Sequence, residues 1–238
     1  MNPTVARLTV RGLLGRRRGV LLLVVPALLL FLAVLVRATQ GQDHDIAVEV
    51  LGTLALGTLV PLLGLIAGTG AIATEIDDGS VVYLLAKPLP RWKIVVTKLV
   101  VAVGCTTAFA ALPTFLAGLI LYGTRDGLAV GYGIGALIAG AAYSAVFLLL
   151  GVVTRHAVVV GLMYALIWES MVGNFIPGAR TLSIQQWGLS LAKAVAEPGA
   201  ITAGVSLPVA VPLLVLVTVA ATAFAAVRLA GLTLAGEE

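Results

Sequence analysis

Few side chains in this sequence have the types and spacing that chemistry requires. Its 238 residues include two histidines, His44 and His156, and a single cysteine, Cys105. An enzyme working inside a membrane needs a nucleophile beside a base, or His and acidic ligands converging on one ion, at membrane depth. Both histidines fall in loops or at the edge of an apolar run, and Cys105 lies within one, where a lone thiol reads as a small core residue. Asp43-His44-Asp45 has the residue types of a metal site, yet three consecutive side chains seldom converge on one ion. No G-x-x-x-x-G-K-[ST] run occurs, so the chain has no Walker-type phosphate cradle and cannot hydrolyse ATP by that mechanism. No catalytic, cofactor-binding or metal residue is therefore assigned. Glu169 stands alone at the edge of an apolar run, where an acid is costly enough to suggest function. It has two readings: a translocation or outer-gate residue, or a solvated helix end near the outer surface, which its position favours.

The elements that hold these residues are set by composition. Hydrophobic residues make up 60% of the chain and charged ones 11%, with a mean hydropathy of +1.11, whereas a soluble domain is about a quarter charged. Apolar runs long enough to cross a bilayer recur between short charged or Gly/Pro-rich stretches. The expected fold is an all-α polytopic membrane protein forming a single transmembrane domain over 1–238. About six spans are placed near 19–36, 50–73, 100–122, 128–153, 157–172 and 207–227. The fifth is the shortest, cut by Glu169 and Gly173-Asn174, and five spans is the alternative. The first is kept as a retained helix because its apolar core exceeds that of a signal peptide.

Residues 3–18 are expected to form an interfacial helix. Gly64 and Gly68, like Gly131 and Gly135, have the spacing that lets helix backbones approach, and Pro61, Pro113 and Pro212 predict hinges. Residues 173–206 are read as an outside segment hugging the membrane. Ser183 and Gln186 there have capping-box spacing, Pro198-Gly199 ends the helix, and Trp187 is expected at the interface. With the amino terminus in the cytoplasm, eleven Lys and Arg residues fall inside and four outside, the latter being Arg37, Arg125, Arg180 and Lys193. The positive-inside rule thus puts both termini in the cytoplasm of a cell membrane, and the basic charge calls for lipid rather than nucleic acid as its partner.

The most informative stretch is 73–100, ATEIDDGSVVYLLAKPLPRWKIVVTKLV. An acidic entry leads to a short apolar helix around Val81, Val82, Leu84 and Leu85, then to a basic exit. Such a helix suits docking against a soluble protein. Here the sequence resembles the membrane subunits of ABC-2 type exporters, whose loop after the second span reads E-x-x-x-G-[ST], then LLA or LLS, then P-x-x-R and a later Lys. The matching positions are Glu75, Gly79, Ser80, Leu84, Leu85, Ala86, Pro88, Arg91 and Lys98; Ser80 stands where Thr is common. Residues 164–187 are also similar to the end of the fifth span in small permeases of that family.

The resemblance implies that residues 80–87 form a coupling helix seated on a separate cytoplasmic ATP-binding subunit, which binds the ATP. It implies a pore completed by a second permease copy or a sister permease, exporting a substrate by alternating access. A self-sufficient secondary transporter is the alternative, and an intramembrane enzyme a more remote one. The apolar, Gly-rich spans with no clear inverted repeat speak against the first.

Overall fold

Helices are the only regular elements of residues 3–72, 91–172 and 179–231, the parts of the chain that this computed structural model describes. The first is α1 (Pro3–Leu13), which buries Thr9 and Leu13 and leaves Leu8 and Val10 exposed. Gly15 separates it from α2 (Arg16–Gln40). Asp43 then caps α3 (His44–Glu49), its carboxylate accepting a hydrogen bond from the Ile46 N–H at 3.1 Å. That cap extends the second long helix further toward its start than an apolar run near 50 implies.

Pro61 and Pro113 lack the N–H that an α-helix needs and crowd the carbonyl four residues earlier. The chain absorbs both by widening into π-helical turns. Residues Val50–Leu59 link α3 to α4 (Val60–Gly70), and Thr107–Ala111 link α5 (Arg91–Thr106) to α6 (Leu112–Tyr122). At Pro61 and Pro113 the expected hinges thus take the form of widened turns inside continuous helices, whereas Pro212 lies within the last helix with no such turn. The third long helix also begins at Arg91 rather than near 100, because Trp92 and Lys93 remain helical ahead of the apolar run.

A tight reversal at Arg125–Gly127, with Asp126 at φ 53° and Gly127 at φ 66°, leads into α7 (Leu128–Val153). Next come α8 (Ala157–Met163) with its π-helical extension Tyr164–Val172, then α9 (Ile184–Val195) and α10 (Leu207–Gly231). Among the described residues, five helices are long and apolar enough to cross a membrane: Gly19–Gln40, His44–Gly70, Trp92–Tyr122, Arg125–Val153 and Leu207–Leu229. Ala157–Glu169 is a shorter apolar helix. This is the all-α, polytopic membrane fold that the composition implies.

Helix α7 is the hub, packed by α4, α9 and α10. Glycine makes two of these contacts possible. A Cβ on Gly64 would lie 2.8 Å from the Tyr143 Cβ, and one on Gly68 2.8 Å from the Ser144 carbonyl oxygen, so α4 meets α7 backbone to backbone. On another side of α7, a Cβ on Gly131 or Gly135 would fall 2.6 Å from the carbonyl oxygens of Ala192 and Gly188 in α9. Both glycine pairs do the close packing that their spacing predicts.

These contacts correct the expectation for residues 173–206. Helix α9 does not lie along the membrane surface; it runs antiparallel to α7 inside the bundle, with Gly188 opposite Gly135 and Ala139, and Ala192 opposite Gly131. Trp187 is 3% exposed and donates its indole N–H to the Thr181 carbonyl at 2.9 Å, so it is a core residue and not an interfacial one. The physical reason is side-chain size: Gly188, Ser190 and Ala192 leave α9 slim enough to enter. Its carboxyl end reaches the Leu128 end of α7, and its amino end stops near the middle of α7.

Candidate functional site

Seven of the residues matching the exporter loop, Glu75, Gly79, Ser80, Leu84, Leu85, Ala86 and Pro88, lie outside the described residues. Arg91 is the first residue of α5, and only its place in the backbone is described. The supports of the segment are well placed, however. Helix α4 ends at Gly70 with Ala71 as its C-cap, two residues before position 73, and α5 starts at Arg91, directly after position 90. Between these supports stands Lys98, which is fully buried and donates from Nζ to the Ala71 carbonyl at 2.6 Å. Around them Ala67, Ile72, Ile94, Val95 and Ala102 belong to an apolar cluster separate from the main core.

Glu169 is the second site. The reading of it as a solvated helix end is overturned: the residue is 1% exposed. One carboxylate oxygen accepts from the Tyr164 hydroxyl at 3.2 Å and from the Ile184 N–H at 3.0 Å. The other accepts from the Ser183 hydroxyl and, at 3.5 Å, from the Gln185 N–H. Ser183 is the N-cap of α9, and its oxygen accepts from the Gln186 N–H at 3.3 Å, as its spacing predicts.

The first N–H groups of a helix have no partner within it and carry partial positive charge, so a carboxylate there satisfies donors and complements the dipole. That is how an acid becomes affordable at this depth. Glu169 joins the end of one broken helix, 157–172, to the start of another, α9. The Tyr143 hydroxyl of α7 is buried with no hydrogen-bond partner among the described residues.

Gln185 adds a third polar contact. Its amide nitrogen donates to the Gly52 carbonyl at 3.0 Å, and a Cβ on Gly57 would lie 2.6 Å from that nitrogen. The π-helical part of the second span is therefore glycine where α9 enters. Further along, Ser190 donates to the Val205 carbonyl at 2.8 Å and the Gln186 side chain accepts from the Gly204 N–H at 3.3 Å, tying α9 to the strap that leads to α10.

Sequence reasoning marked Glu169 and Ser183 separately but did not bring them together, and it missed Gln185 and Tyr143. A buried amide has no signature in a run that also reads as an amphipathic helix. Chemically, the arrangement holds helices in place: its donors are matched to one acid. A family model described as ABC-2 family transporter protein matches residues 16–230, which include all five long helices and the Glu169 junction. No curated protein matches the chain.

Proposed function

The chain belongs to the ABC-2 family of transporter proteins and is a membrane permease of ABC-type transport; from that premise we propose that a separate ATP-binding subunit drives it. The observation that carries this reading is the reach of the family match, which takes in every long helix of a chain with no phosphate cradle of its own. In this reading residues 73–90 face the cytoplasm, and Glu75, Gly79, Ser80, Leu84, Leu85, Pro88 and Arg91 form the surface on which the ATPase docks. Both termini are cytoplasmic in a cell membrane, and the chain, a single transmembrane domain, completes its pore with a second copy or a sister permease. The chain itself holds no cofactor.

Substrate moves outward by alternating access as the ATPase closes on ATP. With this topology the Leu128 end of α7 faces outside, so α9 fills the outer half of the bundle. Glu169 then acts as an outer-gate residue: its bonds to Ser183 and Ile184 keep α9 seated, and they must yield for the outer half to open. Apolar grooves on the helix surfaces, one of them lined by Thr107, Leu112, Phe115, Gly133 and Leu137, suit contact with lipid chains.

The test is to tag the chain at its carboxyl terminus, extract it gently from native membranes, identify co-purifying proteins by mass spectrometry and assay ATP hydrolysis. A Walker-motif protein with vanadate-sensitive hydrolysis is the expected result. Recovery of the chain alone, catalytically silent under conditions that preserve other transporter complexes, would move the assignment to a self-sufficient carrier.

A further inference from the structure

Lys98 is a fully buried cation and, with Glu169, one of two buried charged residues among those described. Its position on α5 explains how it reaches its partner. Seven residues separate it from Arg91, about 10 Å along the helix. Helical side chains lean toward the amino end, so the lysine stem leans back toward the start of α5. There its ammonium meets the Ala71 carbonyl, at the carboxyl end of α4. The last carbonyls of a helix lack partners within it and carry the negative end of its dipole, which is where a cation bonds best.

The contact therefore joins two helices at the points from which residues 73–90 depart and return. Ala71 stands just before the segment and Lys98 two helical turns beyond it, 27 positions apart in sequence. We propose that Lys98 is a positioning residue for energy coupling: it pins the end of the second span to the third, so that force applied to the intervening segment moves both spans as one body. Without the pin, the same force would first pry the ends of α4 and α5 apart, and less of it would reach the outer half. The inference rests on the permease reading above, since it needs an ATPase acting on that segment.

The experiment uses the complex of permease and co-purified ATPase in lipid nanodiscs, with Cys105→Ser as background. Nitroxide labels are placed at Asp45, Thr124 and Leu207, exposed positions at the same end of the second, third and last long helices. Pulsed dipolar spectroscopy then compares the nucleotide-free complex with the ATP–vanadate trapped one. In the wild type the 45–124 separation is expected to stay fixed on trapping, while both labels shift relative to 207.

Lys98→Met, which keeps the apolar stem and removes the donor, should still bind the ATPase and hydrolyse ATP. Its 45–124 distribution should shift or broaden on trapping, with loss of the common shift relative to 207, and Lys98→Arg should restore the wild-type pattern. A Met variant that matches wild type overturns the pin. So does a wild type whose 45–124 separation changes on trapping, which decides the matter even if Lys98→Met fails to insert. Failure of the permease reading looks different: no ATPase co-purifies, or vanadate traps nothing.

Discussion

At Glu169 one carboxylate serves donors from two separate helices. Replacing it with Ala leaves the Ile184 N–H and the Ser183 hydroxyl buried without their acceptor, at about 1–3 kcal/mol for each group. For a chain of this size each kcal/mol moves the thermal midpoint by about 2–4 °C. Glu169→Ala should therefore unfold several degrees below wild type in detergent, as read by thermal denaturation. Glu169→Gln, which keeps an acceptor oxygen, should fall less. Ser183→Ala should cost about 1 kcal/mol, as a lost N-cap does. The double variant should lose less than the sum, because both single changes break one shared bond. Additive losses would mean that the two residues act separately. The sequence marks Glu169 as costly and Ser183 as a cap, but gives no sign that the chain turns back into the bundle between them. That proximity depends on α9 fitting against α7, which is a property of three helices at once.

At the scale of the element, the helices join by backbone contact where glycine allows it, and π-turns precede Pro61 and Pro113. Gly135→Leu would thrust a branched side chain into the Gly188 carbonyl, so it should unseat α9 and expose its residues to a membrane-impermeant thiol reagent in a cysteine scan. Gly104→Ala is the control: nothing lies within 4 Å of its Cβ position, and a helix interior gains about 1 kcal/mol from that exchange. Equal labelling of α9 in both variants would contradict the packing described here. This level was partly legible. Spacing alone identified the Gly64/Gly68 and Gly131/Gly135 pairs as packing faces, because small residues four apart share one side of a helix. It did not identify their partners, and it placed α9 on the surface because Gln185, Gln186 and Lys193 make that stretch look half-polar.

For the whole molecule, composition was the strongest signal, since 60% hydrophobic residues leave no fold but a membrane-embedded one for a chain this long. In the proposed orientation, argued from the distribution of Lys and Arg, α1, Arg155 and Arg228 lie on the cytoplasmic side. Reporter fusions at residues 1, 155 and 238 should give cytoplasmic signals, and insertions at 42 and 199 external ones. The reverse pattern at any of these sites would invert the topology and put α9 in the inner half. The number of spans was harder to read, because run length distinguishes five long helices cleanly but not a helix that is completed by a neighbour.

The shorter helix has a consequence for how the protein is made. Its α-helical and π-helical parts hold seven and nine residues, about 24 Å of rise against a hydrocarbon core of about 30 Å, and an acid sits near its far end. Insertion machinery that judges each segment as it leaves the ribosome finds nothing there to release sideways as a finished span. The segment has to wait beside α7 until the next part of the chain has been synthesised and α9 brings the N–H groups that its acid requires. Assembly of this half of the bundle is thus a late step, completed after the residues up to Val195 have emerged.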